Sequence, residues 1–456
     1  MSNTSTNPTP TDGATTDPAP RIDQPVEPSA VAQGQQAPST QGTERSAASE
    51  QHGARAHSDG AWDTKVPVQT RSERPQSGEL DAFPPVTGRE VNWKFAPLAK
   101  LQPLLDGGLD GSAYPFLARQ TEGADVEWGR SDDPAVGTAG LPEDRAAAAA
   151  WTARDAVLKV TVKATETHES ISITRSDFGT QARAAHTVIT AEQHAQGIVV
   201  IDNRGSALLS ENVEIVVRDG ARLTVVSLQD WDDDAVHVST QFAEVGRDAF
   251  LKHVVVSLGG DVVRVNPSTH LGAQGADTEM YGVYFADAGQ YIEQQVYVNH
   301  DAPNTRGRVN YKGALQGEGA HTVWIGDVLI GRAGDGTDSY EQNRNLVLTD
   351  GTRADSIPNL EIETGNIEGA GHASATGRFD DEQLFYLQAR GIPEEEARRL
   401  VVLGFLVEVI QKIGAPELEE RLIAAVEQEL ADGRTAVAAA EPDADQTAPT
   451  AEQADA

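Results

Sequence analysis

One histidine and two glutamates in the last quarter of the chain have residue types and spacing that could bind a transition metal. His372 lies in a run of glycine, alanine and serine from residue 369 to 375. Such small neighbours would let a second surface approach the imidazole closely, and imidazole and carboxylate both bind iron. Glu361 and Glu363 are two residues apart on a predicted strand, so they should share one face near His372. An ion-paired strand end is the simpler explanation of the two glutamates.

No other segment of the sequence predicts a chemical site. The chain has no cysteine, which excludes disulfides, thiolate metal ligands and any sulfur relay through its own side chains. A P-loop, a nucleophile elbow, a dinucleotide-binding glycine fingerprint and an HExxH motif are all absent from the sequence. Any metal bound by this chain must therefore be held by nitrogen or oxygen.

The net charge of −34 over 456 residues argues against polyanionic partners. Nucleic acids and anionic membrane surfaces are both recognised by clustered lysine and arginine, so we expect neither as a partner. No apolar run reaches the length of a membrane span, and the start of the chain carries neither the positive charge nor the apolar stretch of a secretory signal. We therefore expect a cytoplasmic protein.

Composition divides the chain into five parts. Residues 1–80 are expected to form a disordered extension, since residues 1–60 include no Phe, Trp or Tyr and are dominated by small and polar residues. Residues 436–456 are expected to form a disordered acidic tail. Between them we predict an N-terminal helical or mixed cap over 81–154, a strand-rich core over 155–376 and a C-terminal helical domain over 377–435.

The strand-rich core shows short apolar runs that alternate with polar residues at a period of two and end at Gly, Asp or Asn. A weak internal repeat aligns Ala221, Ala249, Ala276 and Ala320, with two nearly equal gaps followed by a much longer one. We interpret the last gap as two shorter turns. A repeat of this length without intervening helices predicts a mainly β fold with a right-handed parallel β-helix core, while an irregular β-sandwich stays open as the alternative.

Three helices are predicted after the core. An acidic cap should open the first, which ends at Gly391, Pro393 should open the second, and the third should cover 417–431. Residues 400–407 of the second helix are apolar on every face. Such a helix must be buried on more than one side, either at the centre of a small bundle or partly against a partner.

Several motifs in this half of the chain resemble, in order, those of the SufB/SufD family, the scaffold subunits of the SUF machinery for iron–sulfur cluster assembly. The matching segments are His300, YKG (311–313), Leu315, TDSYEQNRNL (337–346), DSIPNLEI (355–362), GHA (371–373), DEQLFYL (381–387) and RGI (390–392). Upstream, GRE (88–90) with WKFAPL (93–98) is similar to the N-terminal motif of the SufD branch. Motifs that agree together and in order are more specific than any one of them.

Two features favour the SufD branch over SufB. SufB proteins carry a glutamate directly after the histidine, where this chain has Ala373, and they carry the cysteines that receive sulfur. Many SufD proteins have a cysteine two residues before the histidine, where this chain has Ala370. His372 is thus the family site residue that the resemblance transfers to this chain.

The resemblance implies a non-catalytic scaffold with two kinds of partner. A SufB-like homologue would form a heterodimer with this chain through the β-helix ends, with a nascent iron–sulfur cluster transiently at the interface beside His372. The ABC-type ATPase SufC would dock on the C-terminal helices, where Phe405, Leu403 and Leu406 are the candidate contacts. No tightly bound cofactor is implied, although a flavin is compatible with the family. A β-helical carbohydrate-active enzyme, such as a lyase, is the alternative function.

Overall fold

The computed structural model describes residues 74–119, 121–166, 168–176, 178–378 and 381–440. Most of the extension predicted over 1–80, and residues 441–456 of the predicted acidic tail, lie outside the described residues. Two predicted boundaries change within the described part. Arg74 already forms ion pairs with Glu143 at 2.9 Å and Asp327 at 2.8 Å, so contacts begin before residue 80. The last helix continues to Ala440, past the predicted start of the tail at 436.

In the described part of the chain, eighteen strands form two nine-stranded sheets. Their bounds are β1 Leu117–Arg119, β2 Ala124–Arg130, β3 Ala156–Val162, β4 Glu169–Arg175, β5 Gly179–Ala191, β6 Gln196–Gly205, β7 Ala207–Val217, β8 Arg222–Trp231, β9 Val236–Val245, β10 Phe250–Ser257, β11 Val262–Leu271, β12 Asp277–Ala286, β13 Tyr291–His300, β14 Arg306–Leu315, β15 His321–Ile330, β16 Asp338–Val347, β17 Arg353–Ile362 and β18 Gly369–Arg378. The even sheet contains the even-numbered strands from β4 to β18 with β1 at its edge. The odd sheet contains the odd-numbered strands from β3 to β17 with β2 at its edge.

Consecutive strands alternate between the even and the odd sheet, so the chain winds as a parallel β-helix. Among these strands, the pairs β1–β4 and β2–β3 are antiparallel, which leaves eight parallel strands in each nine-stranded sheet and about eight coils. Neighbouring coils pair in continuous register, as β12 does with β14. The predicted β-helix is therefore confirmed, and the β-sandwich, whose strands would pair antiparallel, is wrong.

Coil length accounts for the repeat in the sequence. The strands β8, β10, β12 and β14 begin at positions 222, 250, 277 and 306, so the coils in this region are nearly equal in length. Ala221, Ala249 and Ala276 each directly precede one of these strands and are buried. Ala320, however, precedes β15 on the odd sheet. Its alignment with the other three alanines is therefore wrong, and the long gap before it does not represent two shorter turns.

The space between the sheets is filled mainly by apolar side chains, but it also contains a buried polar network centred on Glu211. Arg175 Nη1 on the even sheet donates to Glu211 Oε2 on the odd sheet at 2.8 Å. The His237 ring and the Ser239 hydroxyl lie 3.0 and 2.9 Å from Glu211 Oε1. Desolvation alone would raise the pKa of Glu211, but Arg175 and His237 outweigh it and hold that pKa well below its usual range. A buried ion pair thus ties the two sheets together.

The predicted N-terminal cap packs its helices on the outer face of the odd sheet, while its strands β1 and β2 lie at the sheet edges. Besides β1 and β2 it contains a 3₁₀ turn (Leu80–Ala82), α1 (Leu98–Leu105) and α2 (Arg145–Ala153). Asp144 caps α2 by accepting a hydrogen bond from the backbone N–H of Ala147 at 2.9 Å. The alanines at 146–150 of α2 are buried, because their small side chains let the helix lie close to the sheet.

The C-terminal helices are α3 (Asp381–Gln388), α4 (Glu394–Ile410) and α5 (Pro416–Ala440). α4 and α5 pack on the outer face of the even sheet and share one core with Val226, Val254 and Val283. Val402 and Leu406 of the apolar stretch 400–407 are buried in this core, whereas Leu400 is 39 % exposed. The helices therefore pack on one another as predicted, the chain's own β-helix adds a surface that was not predicted, and the docking of part of this stretch on a partner stays a prediction. No helix in the described part combines the length and apolarity needed to cross a membrane.

Two buried histidines make the stability of this fold pH-dependent. Burial lowers the pKa of His253 to about 4 and that of His300 to about 3. Between about pH 6.5 and pH 4 the unfolded chain takes up these protons and the folded chain does not, so stability falls as the pH falls. We expect each histidine to lower the free energy of unfolding by about 2 kcal/mol between pH 7 and pH 5.

Urea unfolding of the parent chain and of His253→Gln at both pH values measures this effect. Glutamine keeps a hydrogen-bonding group beside Gln241, whose Oε1 lies 2.7 Å from His253 Nε2. Between pH 7 and pH 5, the free energy of unfolding of the variant should fall by about 2 kcal/mol less than that of the parent, because only the contribution of His300 remains. A variant whose stability falls as steeply as that of the parent would contradict the assignment.

Candidate functional site

His372 lies on β18, the terminal strand of the even sheet, at the open end of the β-helix. Its register partner on β16 is Glu341, and His372 Nδ1 is 3.7 Å from Glu341 Oε1. The imidazole is 44 % exposed, whereas the side chain of the glutamate is fully buried. The pair therefore connects the solvent-facing end of the molecule with its interior.

Both side chains point into the space between the sheets. Successive residues of a strand alternate between its two faces, and Ala370, two residues before His372, packs against the interior core. Gly326 makes room for the carboxyl group, since a Cβ atom there would lie 2.4 Å from Glu341 Oε2 and 2.2 Å from the Trp324 ring. Any larger residue at 326 would displace Glu341 or Trp324.

The Glu341 carboxyl group occupies an environment that disfavours its charge. Burial, and secondarily the carboxylate of Asp327, raise the pKa of Glu341 to about 8, while the backbone of Asn359 offsets part of the rise. Neither carboxyl oxygen has a hydrogen-bond partner of normal geometry among the described residues, and the same holds for Trp324 Nε1 and the Tyr311 hydroxyl. This end of the interior thus contains polar atoms whose bonding capacity the described chain does not use.

A short ladder of hydrogen bonds beside the pair connects the two sheets. Ser356 on β17 donates to Asn343 Oδ1 at 2.7 Å, and Ser374 on β18 donates to the Ser356 hydroxyl at 2.8 Å. Deeper inside, the Tyr284 hydroxyl donates to Asn345 at 2.5 Å. The ladder fixes β18, the strand that carries the imidazole, against its neighbours.

Glu361 and Glu363 are not brought to His372. They lie on and just after β17, at positions that alternate with Leu360, which packs against the interior core. Glu363 is 3.7 Å from Arg332 Nε. Among the described residues, no group of three histidine or acidic side chains is close enough to hold a metal. The predicted site that joins His372 to both glutamates is therefore wrong.

Phe405, Leu403 and Leu406 belong to the contact between α4 and the β-helix. Leu406 is fully buried and hence inaccessible to a partner, and Leu403 and Phe405 pack against the same core while partly exposed. The Lys312 ammonium lies 4.7 Å from the centre of the Phe405 ring and 2.7 Å from Glu408. These three side chains hold α4 on the sheet.

Exposed aromatic side chains lie on α3 instead. Phe385 and Tyr386 are 71 % and 56 % exposed. Adjacent residues of a helix point about 100° apart, so a helix packed on one side rarely buries both. Two adjacent aromatic residues in so short a helix are therefore the sequence signal that predicts an exposed aromatic surface on α3.

Glu341 is the site residue that sequence reasoning missed. The strands β16 and β18 begin at Asp338 and Gly369, and the length of this coil equals the separation of Glu341 from His372 along the chain. Residues one coil apart stack on each other in a solenoid. The coil length would have identified Glu341, but the repeat aligned through Ala320 was out of phase in this region.

Residues 172–405 match the family model described as SUF system FeS cluster assembly, SufBD core domain. The match covers just over half of the 456 residues and runs from β4 into α4, so it includes Glu341 and His372. The chain belongs to the SufBD family. SufBD membership supports a scaffold role in iron–sulfur cluster assembly and disfavours the β-helical lyase.

SufBD relatives extend the similarity beyond the core domain. An iron–sulfur cluster assembly SufBD family protein of Mycobacterium bovis is 50% identical over 364 residues, which is 78% of this chain and 91% of the relative. One of Mycobacterium leprae is 48% identical over 365 residues, which is 78% of this chain and 93% of the relative. One of Staphylococcus saprophyticus is 31% identical over 201 residues, which is 44% of this chain and 43% of the relative.

Proposed function

We propose that this SufBD protein is a non-catalytic scaffold subunit of the SufD branch, which assembles in the cytoplasm with a cysteine-bearing SufB-like homologue and an ABC-type ATPase. The observation that carries the proposal is the open end of the β-helix, where His372 is exposed above the buried Glu341 on an edge strand. A SufBD chain without cysteine has no thiolate that could accept sulfur. The sulfur acceptor must then come from another subunit.

The open end offers a surface for that homologue. β17 and β18 are the last strands of their sheets, so each presents one row of backbone N–H and C=O groups to a further strand. Tyr340 and Ile362 are 47 % and 43 % exposed. The end of a second β-helix would pair with these edges and cover apolar surface there. A nascent cluster, as cargo of the complex, would form between His372 and the thiolates of the homologue.

The exposed pair on α3 is our candidate contact for the ATPase. Phe385 and Tyr386 lie on a helix that packs against α4, and Leu400 of α4 is 39 % exposed. Exposed aromatic side chains often dominate the energy of protein interfaces. Because α4 packs in turn on β12 and β14, a movement of α3 would be transmitted to the β-helix.

Co-purification of full-length variants tests the two surfaces separately. Phe385→Ser with Tyr386→Ser should reduce retained ATPase by roughly tenfold or more and keep the homologue, because truncation of an interface aromatic typically costs ~2 kcal/mol. Ala373→Lys with Ala375→Lys should reduce the retained homologue and keep the ATPase, because lysine on an edge strand opposes strand pairing.

Leu117→Ser is the matched control for a lost exposed apolar side chain, since Leu117 is 76 % exposed on β1 at the other end of the even sheet. It should retain both partners. Retention of both partners by the α3 variant and by the β18 variant would contradict the proposal. Loss of both partners from either variant, with an unchanged circular dichroism spectrum, would contradict the separation of the two surfaces.

A further inference from the structure

Glu341 has a chemical property that the scaffold role does not explain. Its carboxyl group is fully buried, has no hydrogen-bond partner of normal geometry among the described residues, and faces the His372 ring at 3.7 Å. An acid in such a place destabilises the fold relative to an apolar side chain of similar volume. Gly326 nevertheless leaves the space that the carboxyl group occupies. The arrangement indicates that this group has a ligand.

We propose that Glu341 is a further ligand, beside the family site residue His372, for a divalent transition-metal ion whose remaining ligands come from the subunit that covers the open end. This inference deepens the proposed function and rests on it for the choice of ferrous iron as the natural ion. The chain itself contributes Nδ1 of the imidazole and Oε1 of the carboxylate.

The distance between these two donor atoms fits an ion placed between them. Metal–nitrogen and metal–oxygen bonds of about 2.1 Å put two donors 3.7 Å apart when they subtend an angle of roughly 120° at the ion. A direct hydrogen bond would require a separation below about 3.2 Å. The two groups are thus too far apart to satisfy each other and close enough to share a cation.

The donor set selects the class of ion. One imidazole and one carboxylate suit Fe²⁺, Mn²⁺, Co²⁺ and Zn²⁺, whereas Mg²⁺ and Ca²⁺ prefer oxygen ligands alone. The ion would supply the positive charge that stabilises the buried carboxylate. Two protein ligands leave several coordination positions for groups of the facing subunit. A half-site of this kind would hold its ion firmly only in the assembled complex.

Neighbouring acids are engaged on other surfaces. Asp327 pairs with Arg74 at 2.8 Å and accepts a hydrogen bond from Asn359 at 2.8 Å. Glu363 faces Arg332. Glu361 and Glu363 therefore provide matched controls, because they are carboxylates at the same end of the β-helix that do not share the space with His372.

Binding of Co²⁺ to the full-length chain, alone and with the homologue, tests the site. Calorimetry gives the affinity and absorption spectroscopy gives the ligand type. Glu341→Gln and His372→Ala should each weaken binding by roughly tenfold or more, while Glu361→Gln and Glu363→Gln should bind as the parent does. Glu341→Gln should still co-purify with the homologue, which distinguishes failure of the metal site from failure of the scaffold proposal.

A Glu341→Gln chain that binds Co²⁺ like the parent would overturn the inference. Loss of Co²⁺ binding in Glu361→Gln or Glu363→Gln would also overturn it. The same holds if the parent chain takes up no Co²⁺ either alone or with the homologue. Glu341→Asp is the second variant in case glutamine disturbs folding. It keeps the charge but withdraws the carboxyl group by one methylene, so we expect weaker binding, and undiminished binding by the folded Asp variant would overturn the geometry.

Discussion

Replacing His372 by alanine is expected to lower the yield of iron–sulfur cluster by roughly tenfold or more while the subunits stay assembled. The imidazole is 44 % exposed on an edge strand, so its removal takes little packing away from the fold. The chain has no thiolate that could replace it. Anaerobic reconstitution followed by size-exclusion chromatography, with iron and sulfide quantified in the complex peak, measures assembly and cluster content on the same sample.

His270 is the matched control for this experiment. Its imidazole is 39 % exposed and lies 2.6 Å from Glu244. It therefore resembles His372 in being a half-exposed histidine beside a carboxylate, but it lies on a coil in the middle of the β-helix and not at the open end. His270→Ala should change neither assembly nor cluster content. A histidine at 372 that only hydrogen-bonds across the interface would instead weaken assembly when removed. An intact complex of His372→Ala with undiminished cluster content would eliminate the ligand role.

The β-helix could be predicted because its coil length appears in the spacing of small buried residues. Ala221, Ala249 and Ala276 precede equivalent strands, where the chain turns into the next coil. The predicted repeat loses phase at Ala320 because the equivalent position before β14 is Thr305, whereas Ala320 precedes β15 on the odd sheet. Strands of both sheets share one alternating pattern, so the sequence does not show to which sheet a repeat belongs.

The position of the C-terminal helices could not be predicted in the same way. The apolar stretch 400–407 predicts burial on several sides, but within it the structure buries Val402 and Leu406 and leaves Leu400 39 % exposed. The surface that covers the buried residues is made by outward-facing residues such as Val226, Val254 and Val283 of the even sheet. Several of the inward-facing residues that alternate with them, such as Val225, Val255 and Tyr284, are also apolar. A strand that is apolar on both faces does not reveal which face meets a helix.

Half of the candidate site was accessible from the sequence. His372 was identified by its small neighbours and by the family motif. The sequence favours Glu361 and Glu363 as its partners because they lie close to it along the chain. In a parallel β-helix, proximity in space follows the coil, which places Glu341 beside His372 although a full coil of chain separates them. The register of the coils, and not the composition of the segment, decides which carboxylate meets the histidine.

Glu211→Ala is expected to lower the free energy of unfolding by about 3–5 kcal/mol at pH 7. The substitution leaves Arg175 fully buried without its counter-ion, and it removes the oxygen that contacts His237 and Ser239. A buried ion that loses its partner keeps its full desolvation cost, so the effect exceeds the net contribution of the pair. Urea unfolding at constant pH, with an unchanged slope against urea concentration, measures the loss.

Further variants separate the missing charge from the missing side chain. Glu211→Gln keeps the size of the side chain and an oxygen acceptor but removes the negative charge. If the ion pair dominates the effect, it should therefore be nearly as destabilising as Glu211→Ala. Arg175→Met combined with Glu211→Leu removes both charges and should recover most of the loss. Asp132→Ala breaks the exposed ion pair with Arg130 and should leave the unfolding curve unchanged.

The pH dependence gives an independent check on the ion pair. The pKa of Glu211 is lowered in the folded chain, so its stabilising contribution is present above the unfolded value of 4.5 and is lost as the pH falls toward the folded value. The stability difference between the parent and Glu211→Gln should therefore be constant near neutral pH and narrow below about pH 4.5. A difference that stays constant from pH 7 to pH 3 would show that the lost side chain, and not its charge, stabilises the interior.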